Sequence, residues 1–351
     1  MQISPSTHEN HPDTAARRVI LTFDVEDWFQ VENFKPWISY ESWPRRESRV
    51  ERATKSILDL LDRCGDRGSM GHDGPGSLPP IRATFFILGW TAAAFPSLVR
   101  EISDRGHEVA SHGCDHQMVT HQSPKKFYQD LVRSKKVLED ITGSRVEGYR
   151  APSFSITESS LHLIAEAGYR YDSSYNSAGV NPRYGRMPSL EHMPSYPAIR
   201  LQNGLFEIPV SNLRIDGLPL PWGGGGYFRL IPFSVFRYGV ERILEKDGAY
   251  VFYAHPWEFD PGQPRVKEAS PLARFRHYFH LKETAGRLER LVAAFSGCQF
   301  QSIRQLLPAR LSSATGAVRG RLTPRPEAHE APFSRSHQSR LETKDPMEVR
   351  A

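Results

Sequence analysis

At 351 residues, with 39% hydrophobic and 24% charged side chains, the chain has the composition of a soluble globular protein with one sizeable core. Its net charge of +5 is unevenly placed: 8 Arg and Lys against 5 Asp and Glu fall in residues 309–351, so the rest carries too thin an excess to serve as a footprint for nucleic acid. Three scattered cysteines, Cys64, Cys114 and Cys298, form neither a CxxC pair nor a disulfide framework and favour a reducing compartment.

The first residues contain no apolar h-region, and nowhere do 18 apolar residues run together. No secretory leader and no integral membrane segment are expected, which makes the cytoplasm the expected location and leaves room for peripheral contact with the inner membrane.

In chain order, residues 1–17 are polar and expected to be disordered. Arg18–Phe23 is a β-rich run that stops at Asp24, reading as a buried strand ending in an acidic cluster. An amphipathic helix follows from about Arg49 to Cys64, and the Gly/Pro-rich stretch 65–80 is expected to be a loop. Ala83–Leu88 reads as a second buried strand, Pro96–Arg105 as a helix, His107–Ser111 as a strand and Pro124–Thr142 as a long helix. Val146–Tyr149 is a strand, Thr157–Ala167 a helix and Tyr169–Asp172 a short extended piece. Beyond a Pro-rich stretch (181–200) come Phe206–Pro209, the helix Pro232–Lys246, the strand Ala249–Ala254, a helix over Arg274–Ala294 and a last strand, Gln299–Ser302. Past about Leu311 the composition predicts a disordered, dispensable tail. Strands alternating with helices predict parallel βα units, in a barrel or a doubly wound sheet.

In a parallel barrel, chemistry collects just past the strand ends. Those places hold Asp24, Glu26 and Asp27; His112 and His116; Arg150; Asp172; and His255 in His-Pro-Trp-Glu. His112 and His116 can face one way across a single helical turn, which suits two imidazoles on one divalent ion, and a neighbouring carboxylate completes the donor set of a hydrolytic zinc centre. Such a set also accepts cobalt, nickel or iron. Glu258 and Asp260 read as loop carboxylates, Cys114 as a packed thiol, and His107 and His121 as structural or exposed. The run Trp222-Gly-Gly-Gly-Gly-Tyr227-Phe228 has no core-packing value in its glycines, and makes sense where backbone passes close to a ligand, with the aromatics offering faces for sugar rings.

The series TFDVEDW (22–28), ATFF (83–86), HEVASHGCDH (107–116), GYRAPSFS (148–155), YDSSY (171–175) and FYAHPWE (252–258) resembles the motif set of polysaccharide deacetylases with the NodB-type fold, over most of residues 18–308. WGGGGYFRLIP (222–232), HPWEFDPGQPRVK (255–267) and RFRHYFHL (274–281) resemble the branch encoded in exosortase (PEP-CTERM) exopolysaccharide loci. The resemblance implies a distorted (β/α) barrel acting on an N-acetylated polysaccharide or oligosaccharide, with room for peripheral association with exopolysaccharide assembly machinery. It implies Asp24 as catalytic base, His112 and His116 as metal ligands, Arg150 as the holder of the base, Asp172 as the residue tuning the acid, and His255 as that acid. Where better-known members have two adjacent aspartates, this chain reads Asp24-Val25-Glu26-Asp27, so the third ligand is Glu26, which is favoured, or Asp27. Ser153 stands where an aromatic is usual. Ser153, Trp222, Gly224, Tyr227 and Trp257 are the expected substrate contacts. Two other readings stay open: an amidohydrolase of the same superfamily acting on a cyclic ureide such as allantoin, and an inactive carbohydrate-binding protein.

Overall fold

Eight residues of β-branched and aromatic character, Arg18–Val25, form the first strand, β1, and every later element is arranged around it. The computed structural model describes residues 17–70, 80–178, 183–190 and 197–308. The remaining residues, including the terminal stretches expected to be disordered, lie outside the described residues.

After β1 the chain forms α1 (Val50–Met70), β2 (Ala83–Ile87), α2 (Gly89–Ala94), α3 (Pro96–Asp104), β3 (Glu108–Ser111) and α4 (Pro124–Thr142). Then follow β4 (Gly148–Tyr149), α5 (Leu161–Glu166), β5 (Tyr171–Asp172), β6 (Ile199–Arg200), β7 (Phe206–Glu207), and a hairpin of β8 (Asn212–Ile215) and β9 (Leu218–Pro221). The last elements are α6 (Gly225–Leu230), α7 (Phe233–Asp247), β10 (Ala249–Ala254), α8 (Pro271–Tyr278), α9 (Thr284–Ala294), β11 (Gln299–Phe300) and α10 (Ile303–Leu306).

The main sheet runs β10-β1-β2-β3-β4-β5-β7-β6, parallel except for β6 on β7, with β11 beside the start of β1. The segment after β7 narrows the remaining gap: Ile208 N donates to Asp172 O at 2.8 Å, and Ser211 N to Val251 O at 3.3 Å. The result is the distorted (β/α) barrel that the resemblance implied, where alternation of elements by itself left a doubly wound sheet open.

Side-chain alternation sorts each strand into two faces. Ile20, Phe86, Ala110, Tyr171, Ile208 and Val251 pack together inside the curled sheet. Val19, Leu21, Phe23, Phe85, Tyr149 and Phe252 pack outward against the apolar stripes of the helices. The inward face therefore ends, at the carboxyl edge of the strands, on Asp24, His112, Arg150 and His255.

Three elements differ from expectation. The helix begun at Val50 continues through Gly65 to Met70, into the stretch expected to be a loop. The single helix expected over Arg274–Ala294 is two, with His280 at φ 53° between them. The glycine run, for which no helix was expected, opens α6.

Candidate active site

Asp24, Glu26, His112, His116, Arg150 and His255 converge at the carboxyl edge of the barrel, and all but His255 are fully buried. The Arg150 guanidinium lies on the inner face and spends its donors in several directions. Nη1 reaches Asp24 Oδ1 and Thr22 Oγ1, both at 2.8 Å, while Nε and Nη2 reach Ser173 O and Oγ at 2.9 Å. Its plane covers the Phe86 ring at 4.1 Å. The ion pair with Asp24 keeps the buried charges satisfied and fixes which carboxylate oxygen stays open.

Glu26, His112 and His116 each present a ligand atom within 4.8 Å of the others. His112 Nδ1 is engaged by Arg150 O at 2.8 Å, leaving Nε2 for an ion. His116 Nε2 lies 2.9 Å from Glu26 Oε2. The two histidines are bridged not by a helical turn, as their spacing suggested, but by a loop with Gly113 at φ 74° and His116 at φ 50°. Burial raises the Glu26 carboxyl, but the charges of His116 and His255 outweigh it and hold the group down at about 2. Burial pushes His112 down to about 4. A deprotonated carboxylate and a neutral imidazole are the forms that bind a metal, so this buried set fits one divalent ion.

Asp27 points the other way. Alternation carries Asp24 and Glu26 to the inner face and Asp27 to the outer one, where Oδ2 accepts from Ser48 Oγ at 2.5 Å, Arg49 N at 2.8 Å and Val50 N at 3.1 Å. It caps the amino end of α1.

His255 Nε2 lies 3.3 Å from Glu26 Oε1 and 3.9 Å from Asp24 Oδ2. Burial lowers the imidazole, and the carboxylates of Glu26, Glu258 and Asp24 more than reverse this, raising it to about 9. The expectation that Asp172 backs His255 is not met. On β5, Tyr171 faces inward and bonds Glu108, so Asp172 faces outward, against Ser174 Oγ at 2.6 Å and its cross-strand neighbour Glu207. Burial lifts Asp172 to about 6 and Glu207, which also faces the Asp172 charge, well above the usual carboxylate range. The carboxylate on His255 Nδ1 is Glu258, at 2.8 Å, which the sequence had suggested was a loop residue.

The expected substrate contacts divide. Trp257 stacks on His255 at 5.2 Å and its Nε1 approaches Glu26 Oε1 at 3.4 Å, so it walls the site. Ser153, at φ 54°, is partly exposed on the loop after Arg150, and Tyr227 is half-buried on α6. Trp222 belongs to the core instead: it stacks on Phe236 at 5.8 Å, and its Nε1 donates to Phe236 O at 2.9 Å. Gly224 likewise meets protein, not ligand, since a Cβ there would lie 2.5 Å from Tyr253 Oη.

Residues 80–171 match the polysaccharide deacetylase family model, on the strands that carry His112, His116 and Arg150. Over these residues the chain is similar to the polysaccharide deacetylase family. Residues 173–308 match a domain of unknown function, DUF3473, and that segment holds Trp222, Arg229, His255, Trp257 and Glu258. The peptidoglycan deacetylase of Helicobacter pylori is 30% identical over 149 residues, 40% of this chain and 50% of that protein. The peptidoglycan-N-acetylglucosamine deacetylase PgdA of Listeria monocytogenes is 31% identical over 132 residues, 36% of this chain and 25% of that protein. The chain thus spans half or less of the length of these relatives. A crystal structure from Mycobacterium smegmatis, of a protein assigned as a polysaccharide deacetylase, has a TM-score of 0.55 at 20% identity, covers 87% of this chain and 93% of its own, and shares the fold. No helix among the described residues is long and apolar enough to cross a membrane.

Proposed function

We propose that this chain hydrolyses the N-acetyl amide of acetylated sugars in a polysaccharide, as a cytoplasmic step of exopolysaccharide synthesis or modification. The observation that carries the reading is the placement of Asp24 and His255 beside one buried cluster of Glu26, His112 and His116, with Arg150 locking Asp24. The names of the two curated relatives, both peptidoglycan deacetylases, favour an N-acetylated glycan over other amides.

Glu26, His112 and His116 would hold one divalent ion, with zinc the first choice, and the ion when bound polarises the amide carbonyl and acidifies the attacking water. Asp24, its Oδ1 tied to Arg150, takes the proton from that water through Oδ2. Oxygen adds to the carbonyl carbon, the C–N bond breaks with its electron pair on nitrogen, and His255 Nε2 delivers a proton to that nitrogen. Acetate and a free amino sugar result. Trp257, which stacks on His255, would contact the sugar, with Tyr227 and Ser153 as further contacts.

The test is acetate release from N-acetylglucosamine and N-acetylgalactosamine oligomers by purified protein whose metal has been measured. Release dependent on one equivalent of metal supports the reading. Hydrolysis of allantoin without acetate release would move the activity to cyclic ureides, and glycan binding without turnover would make the chain a binding protein.

A further inference from the structure

His255 is held from two sides. Trp257 covers one face of its ring, and Glu258 Oε1 takes both its backbone N–H, at 3.1 Å, and its Nδ1, at 2.8 Å. Only Nε2 is left to face Asp24 and Glu26. Glu258 is fully buried, and its other oxygen accepts from Arg229 Nε at 2.8 Å.

Arg229 is itself buried and anchored. Its remaining donors reach the carbonyl oxygens of Arg276 and His277, both at 3.2 Å, and of Phe279. A guanidinium spread over three fixed carbonyls and one carboxylate cannot follow a drifting partner, so Glu258 is held in place. Backbone approach on the other side is equally tight. A Cβ on Gly225 would sit 2.3 Å from both Glu258 carboxylate oxygens, which is why the chain needs glycine there. Glycine run, Arg229 and Glu258 are therefore parts of one support.

We propose that Glu258, locked by Arg229, is the positioning residue of His255, the role the sequence had suggested for Asp172. The inference rests on the deacetylase reading for what His255 does. When Nε2 gives its proton to the departing amine, Nδ1 keeps its own proton on Glu258; the carboxylate fixes the ring and offsets its charge, and accepts no proton.

The experiment compares metal-loaded wild type with Glu258→Gln, on an N-acetylglucosamine oligomer and on 4-nitrophenyl acetate, whose phenolate leaves without needing a proton. Glu258→Gln should lower the ratio of amide to ester kcat by tenfold or more at unchanged metal content. A merely structural role would lower both activities together, and an unchanged ratio overturns the proposal. So does a fall in that ratio on Asp172→Asn but not on Glu258→Gln. If Glu258→Gln does not fold, Gly225→Ala, which crowds the carboxylate without removing it, should move the ratio the same way. Histidine side-chain ¹H–¹⁵N spectra decide independently of activity: the His255 Nδ1–H signal present in wild type should be lost or strongly shifted in the variant. Wild type that releases no acetate but shows that signal change would sink the deacetylase reading and leave the Glu258 contact standing.

Discussion

Asp27 caps the helix that begins at Val50: its Oδ2 accepts the Val50 N–H at 3.1 Å, while its neighbour Glu26 turns to His116 at 2.9 Å. Two adjacent carboxylates thus serve different ends, and substitution should separate them. Asp27→Ala should cost about 1–2 kcal/mol of stability, the usual loss for a helix cap, and keep its metal. Glu26→Ala should lose metal affinity instead. Urea unfolding of metal-free protein, with metal analysis of each variant, checks the pair; metal loss in Asp27→Ala with none in Glu26→Ala would reverse the assignment.

Glu26 and Asp27 also show how much the sequence could have told. Counting by twos from Ile20 through Thr22 and Asp24 arrives at Glu26, so strand periodicity alone contained the choice. Asp172 was harder, because β5 is only two residues long and gives no phase from which to tell its inward residue. Glu258 was legible in part, since it lies three residues past His255 and closes a capping box on that residue's N–H and Nδ1; its anchor Arg229, however, lies on a different element, and no local pattern links those two. The same long-range contact hid the break between α8 and α9, where Arg229 takes the carbonyls that a continuing helix would have used.

Cys114 sits between His112 and His116 in sequence but apart from their chemistry. Burial, with Asp130 beside it, pushes the thiol up to about 12, and Arg133 Nε contacts its sulfur at 2.9 Å. A thiol reagent at pH 8 should modify Cys114 only after unfolding, as read by peptide mass mapping. Rapid native labelling at Cys114 would show that the loop from Gly113 to His116 opens.

His107 gives the fold an acid sensitivity. It packs on Phe85 at 5.2 Å and accepts the Ala83 N–H at 3.3 Å, and burial lowers it from 6.5 to about 4. Between those values the unfolded chain binds a proton that the folded chain refuses. The contribution is therefore full above pH 6.5 and lost as pH falls towards 4, amounting to about 2 kcal/mol between pH 7.5 and 5. His107→Gln, which keeps an acceptor but does not titrate, should lose that much less stability over the same interval. Parallel urea-unfolding curves for the two proteins would refute this.

Asp24 offers the sharpest separation of roles. Its Oδ1 is committed to Arg150 Nη1 at 2.8 Å, and Arg150 Nη1 also reaches Thr22 Oγ1, which in turn donates to Phe252 O at 2.7 Å. The carboxylate is thus tied to β10 through two intermediates, with Oδ2 the oxygen nearer His255. Asp24→Asn preserves the shape and an acceptor for Arg150 but cannot take a proton. Turnover should fall by about 10²–10⁴-fold while metal stays near one per chain. Arg150→Lys should lower both turnover and melting temperature, because an ammonium cannot reproduce the fork that spans Asp24, Thr22 and Ser173. Loss of metal in Asp24→Asn would instead make Asp24 a ligand, and the donor set would then have to include it alongside or in place of Glu26.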